Sequence, residues 1–144
     1  MEINNCMDTI DSRDIIKRLE ELESDVFILD DEIKELNLEE DDSNNEEIKD
    51  KQIEIEELQK ELDILKYVQE QAEPYCSDWS FGETLIKDSY FPEYAEELAR
   101  DIGAISYGDS WPLNCIDWEK ATEQLKLDYI QVEFDEEYYW IRSN

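Results

Sequence analysis

The sequence predicts a mainly α-helical chain with a small α+β part. An acidic antiparallel helical hairpin, a coiled-coil arm, occupies residues 1–73, and a small domain of helices and a β-hairpin occupies residues 74–144. Three observations predict this. Ile15, Leu19, Leu22, Val26, Leu29, Ile33 and Leu36 recur in steps of four and three, which is a heptad seam. After a polar break the rhythm returns at Ile48, Ile55, Leu58, Leu62 and Leu65, and weakly at Ala72, so the two segments should fold back on each other. The composition then changes at Pro74, beyond which lie all four tryptophans and seven of the eight tyrosines.

The first helix is expected from an N-cap at Asp11 or Ser12, with Asp14 in its first turn, to about Leu36. Residues 1–10 carry no strong signal and read as a frayed lead-in. The stretch 37–47 (NLEEDDSNNEE) reads as a solvated loop. Its Asp41, Ser43 and Asn45 echo a calcium loop, but Glu46 stands where that loop needs glycine, so no metal is expected. The second helix should run from about Glu47 to Gln71 and stop before Pro74. Further on, FGETLI at 81–86 fits either a short strand or a turn into a helix. Phe91-Pro92-Glu93 opens a helix with an apolar stripe of Tyr94, Ala95, Leu98 and Ile102, ended by Gly103. Asp117 caps a helix over about 118–127 that presents Trp118, Ala121, Thr122 and Leu125. Residues 129–134 and 138–142 alternate as two strands of a terminal hairpin, joined by a turn that lacks glycine.

Charge bounds the function. The chain carries 42 Asp and Glu against 13 Lys and Arg, a formal net charge of -29. Direct binding to nucleic acid or to an anionic membrane is therefore not expected, and a basic partner is the complement. No apolar run approaches the roughly 20 residues that span a bilayer, and no leader pattern opens the chain, so a cytoplasmic protein is expected. Cys6, Cys76 and Cys115 are odd in number and widely spaced, and histidine is absent, so neither a disulfide framework nor a zinc site follows. Catalysis ranks last among the functions. Cysteines without a histidine base, three glycines without a phosphate loop, and acids on exposed faces make no active site, and no cofactor is implied.

The segments 82–105 (GETLIKDSYFPEYAEELARDIGAI), 111–134 (WPLNCIDWEKATEQLKLDYIQVEF) and 138–142 (YYWIR) resemble the C-terminal part of the ArdA antirestriction family of phage and plasmid proteins. The resemblance implies a dimeric protein that imitates the charge of duplex DNA. It would occupy DNA-binding clefts of host defence enzymes, with type I restriction–modification complexes the family's usual targets. The family's N-terminal and middle domains have no counterpart here, and the acidic hairpin stands in their place, so a different target such as a CRISPR effector is also open.

Residues 1–73 hold 26 acids and 8 bases, a net of -18. Duplex DNA about 40 Å long bears on the order of 24 charges, so the hairpin approaches the charge of a duplex of its own length. The acids expected to meet a basic DNA- or RNA-binding cleft are Glu21, Asp30, Asp31 and Glu35 on the first helix and Glu39, Glu40, Asp41, Asp42, Glu46 and Glu47 around the break. Asp50, Glu54, Glu57 and Glu61 continue them on the second helix, and Glu96, Glu97 and Asp101 in the C-terminal half. Beside the seam, Glu23, Asp25, Asp30 and Glu32 face Glu54 and Glu61 with only Lys66 opposing, so like charge is expected to stand against like charge. Phe27, Ile28, Ile53, Ile64 and Tyr67 fall off the seam and are expected to contact the C-terminal half or a second copy. An acidic coiled-coil adaptor that binds through Phe27, Ile28, Ile53 and Tyr67 is the competing reading. Self-repulsion of this order makes the fold salt-dependent: raising salt from about 0.05 to 0.5 M should raise the melting temperature, and an unchanged value would contradict it.

Overall fold

The computed structural model describes residues 2–39, 43–106, 108 and 110–143. The fold is mainly helical with a small four-stranded antiparallel sheet. Its elements in chain order are β1 (Thr9–Asp11), α1 (Ser12–Leu38), α2 (Asn44–Ala72), β2 (Thr84–Lys87), α3 (Phe91–Asp101), α4 (Trp118–Leu125), β3 (Tyr129–Phe134) and β4 (Glu137–Arg142).

Asp11 starts α1 as foreseen: its carboxylate accepts from the Arg13 backbone N–H at 2.9 Å, which satisfies one of the first-turn donors. The Arg13 guanidinium bonds the same carboxylate and holds its pKa below the ordinary value, against the upward push of partial burial. Leucine and isoleucine of the seam then meet across α1 and α2. The break between the helices is shorter than the polar composition suggests. Leu38 is still helical, and α2 begins at Asn44, so Asn45, Glu46 and Glu47 belong to the helix. Glu46 and Glu47 sit in its first turn, where the helix dipole favours negative charge.

The sheet runs β1-β2-β4-β3 and is antiparallel throughout, so the terminal hairpin forms only half of it. Within the segment 81–86 the strand begins only at Thr84, as β2, after a turn in which Gly82 adopts φ +112. That φ lies where side chains are strained, which explains the glycine, and the exposed Arg13 side chain lies over it. The expectation of a frayed lead-in is overturned. Thr9, Ile10 and Asp11 pair with Ile86, Leu85 and Thr84, and Ile3 and Ile10 are buried. The β3–β4 turn is closed by Asp135 and Glu136, both at positive φ (45 and 72), the backbone of a tight hairpin turn achieved without glycine. Asn5 steadies it by donating to the Asp135 carbonyl at 2.8 Å.

One hydrophobic cluster joins the root of the hairpin to the sheet. Ile15, Leu19, Leu22, Leu62, Leu65, Val68 and Ala72 pack with Leu85, Val132, Phe134, Tyr139 and Ile141, and with Cys76 and Trp79 from the connection. Burial pushes the Cys76 thiol pKa up. Toward the tip Ile33 is buried, but Val26, Leu29, Leu36, Ile48, Ile55 and Leu58 are only half-buried, because two helices alone enclose a seam incompletely. The outer edge of the sheet is also met from the hairpin. The Gln71 amide donates to the Glu133 carbonyl and accepts from its N–H, both at 2.9 Å.

On the other side of the sheet, α3 and α4 pack together. Phe91 is fully buried and makes edge-on contacts with Tyr94, Tyr129 and Trp140. Asp88 accepts from the Trp140 indole and the Lys126 ammonium, which together hold its pKa below the ordinary value. Asp117 caps α4, and Thr122 of its predicted stripe is buried. The stripe of α3 is shorter than its spacing suggests: Ile102 falls beyond the helix end and is 69% exposed.

Ser12 pins the hairpin to the sheet. Fully buried, it donates from Oγ to the Trp79 carbonyl and accepts from the Glu83 N–H, both at 2.8 Å, while its own N–H donates to the Glu83 carbonyl. Ser12→Ala leaves two backbone groups without a partner and should lower unfolding stability by about 1–3 kcal/mol in denaturant titration.

Candidate functional site: the acidic hairpin

The candidate site is the pair of long helices. With 27 and 29 residues, α1 and α2 extend about 40 Å at 1.5 Å per residue. Their outward acids stand three, four or seven residues apart and so form rows along the rod.

Of the acids singled out from sequence, Asp30, Asp31, Glu35, Glu39, Glu46, Glu47, Asp50, Glu54 and Glu57 are exposed on the hairpin. Glu40, Asp41 and Asp42 lie outside the described residues. Glu97 and Asp101 are exposed on α3, and Glu96 is half-buried there beside Arg100, with which it pairs. These three belong to a helix packed on α4 and β2, apart from the rows on the rod. Glu97 accepts from the Tyr90 hydroxyl at 3.1 Å, and its charge helps push that phenol's pKa up.

The picture of like charge against like charge along the seam needs correction. Arg18, half-buried, forks onto Glu61 with two contacts of 2.9 Å and reaches Glu21 at 3.4 Å. Lys51 crosses to Glu32 at 2.7 Å, and Lys66 to Glu23 at 3.7 Å. The hydrogen bonds to Glu61 and Glu32 raise the pKa of Arg18 and Lys51, so both stay cationic. Arg18 was missed although its signal was present: it immediately precedes Leu19 as Glu61 precedes Leu62, the flanking heptad position that meets its equivalent across the seam. Asp30 pairs with Lys34 within its own helix at 3.4 Å, and Glu39 accepts from the Asn44 amide at 3.0 Å. Among the described residues, Asp31, Glu35, Glu46, Glu47, Asp50, Glu54, Glu57 and Asp101 form no ion pair. The seam is thus partly neutralised, while the outer faces keep their charge.

The off-seam apolar residues divide. Ile64 packs against the root cluster, whereas Phe27 (73%), Ile28 (50%), Ile53 (47%) and Tyr67 (51%) are exposed. Among the described residues no group of three or more potential ligands could hold a metal, and no helix is long and apolar enough to cross a membrane. The arrangement can offer a stiff array of carboxylates to a basic surface.

Arg18 holds the inner register of that array. Arg18→Met strips the half-buried Glu61 and Glu21 of their cation and should lower the melting temperature by several degrees, equivalent to about 1–2 kcal/mol. The double variant with Glu61→Leu should recover most of that loss, as thermal unfolding of the pair would show. Compared with protein-family models, with curated proteins and with solved structures, the chain matches none.

Proposed function

We propose that the chain is an anti-defence protein of a phage or mobile element that imitates nucleic acid. It occupies the DNA-binding cleft of a host defence complex, a restriction–modification enzyme or a CRISPR effector, and blocks it by binding alone, without catalysis or cofactor. The observation that carries this reading is the set of exposed acids without ion pairs on the outer faces of α1 and α2, over a length of about 40 Å. Helices fix those carboxylates before binding, which limits the entropy lost when a basic cleft closes on them. The resemblance to ArdA proteins supports the same reading and adds a homodimer. The host bacterial cytoplasm, where such complexes meet DNA, is its place of action.

A second reading has its own observation. Phe27 at 73% exposure and Ile53 at 47% are apolar anchors that an acidic coiled-coil adaptor could use. Competition with duplex DNA for a purified type I restriction complex or CRISPR effector separates the two. The mimic displaces DNA at low salt and loses affinity steeply as salt rises. The block Asp31→Asn, Glu35→Gln, Asp50→Asn and Glu57→Gln should weaken displacement on the order of 100-fold, and Glu57→Gln alone about twofold. An adaptor keeps its partner in the block variant and loses it with Phe27→Ser and Ile53→Ser.

A further inference from the structure

One face of the hairpin carries a ladder of contacts across the seam, and its middle rung has no cation. On α1 this face presents Arg18, Asp25 and Glu32 at intervals of seven residues, so they stand one above another. The rung nearest the root is closed by Arg18 on Glu61, and the rung nearest the tip by Lys51 on Glu32. Between them Asp25 and Glu54 border one groove, whose apolar surface comes from Ile28, Leu29 and Leu58. Asp25 and Glu54 are exposed, and among the described residues neither forms an ion pair. The Lys51 ammonium feels the charge of Glu54, but its hydrogen bond goes to Glu32.

We infer that this groove seats an arginine-bearing segment of the basic partner. The aliphatic stem of the arginine lies on Ile28, Leu29 and Leu58, and its guanidinium sits between Asp25 and Glu54. Charge complementarity selects the occupant. A second copy of this chain would bring carboxylates against carboxylates, and a bare metal ion would leave the apolar floor uncovered. An arginine supplies both an apolar stem and a planar donor fork that serves two carboxylates at once. Ile28, half-exposed on a charged rod, then has a purpose that a uniform imitation of phosphate would not give it. The inference rests on the proposed reading that the hairpin meets a basic partner, and it adds a focus to an otherwise diffuse surface.

The test uses the full chain and a nona-arginine peptide at low salt, with affinity from calorimetry and contacts from methyl NMR. Asp25→Lys closes the middle rung from within, and Asp31→Lys makes the same change of charge on another face. Asp25→Lys should weaken peptide binding about tenfold or more and raise the melting temperature, whereas Asp31→Lys should weaken binding about threefold at most. Peptide-induced methyl shifts should concentrate on Ile28, Leu29 and Leu58. Equal losses in the two variants, or shifts spread along the rod, overturn the groove and leave charge mimicry standing. No binding of the peptide to the unaltered chain overturns both.

Discussion

Burial of the hairpin root against the sheet is the constraint on which the rest of the molecule depends. Two helices that carry 18 acids against 8 bases, a net of -10, would repel themselves apart if the seam were their only bond. Leu65, Val68 and Ala72 of α2 and Ile15, Leu19 and Leu22 of α1 are almost wholly withdrawn from water because β2, β3 and β4 cover them. From that anchor outward the enclosure thins, and ionic contacts take over: Arg18 on Glu61, then Lys51 on Glu32. Stability flows from root to tip while uncompensated charge increases in the same direction.

The long elements were legible because periodicity accumulates. Seven seam residues on α1 leave no competing pattern, and Asp117 announces α4 by the side chain that caps it. Short elements leave no such record. β1 has three residues, and its one informative feature, buried Ile10, depends on a strand that lies more than seventy positions later in the chain. The run of Asn, Asp, Ser and Glu between the helices reads as loop by composition. Yet Asn44 to Glu47 is helical, because acids at a helix start are stabilised by the dipole that composition ignores. Asp135 and Glu136 make the same point: a tight turn forms there without the glycine that would have announced it.

At the candidate site the positions of the acids were legible and their partners were not. Alternation along a helix tells which side faces water, so Asp31, Glu35, Asp50 and Glu57 were placed correctly from spacing. Whether an acid is neutralised depends on the stagger between α1 and α2, which a single helix does not encode. Glu61 is therefore a structural residue held by Arg18, while Glu54, seven positions before it in the same kind of place, keeps its charge. The distinction between acids that hold the rod and acids that project from it emerges only once the two helices are set side by side.

The Gln71 amide on the Glu133 backbone has a consequence for how the chain survives at high concentration. β3 is an edge strand, and a bare edge invites another chain to extend the sheet. Here a single side chain from the rod blocks one of its docking points, standing in for a neighbouring strand. Because the plug is carried by α2, tipping the rod away from the sheet would withdraw it. Arm angle and protection of this edge are then one mechanical property.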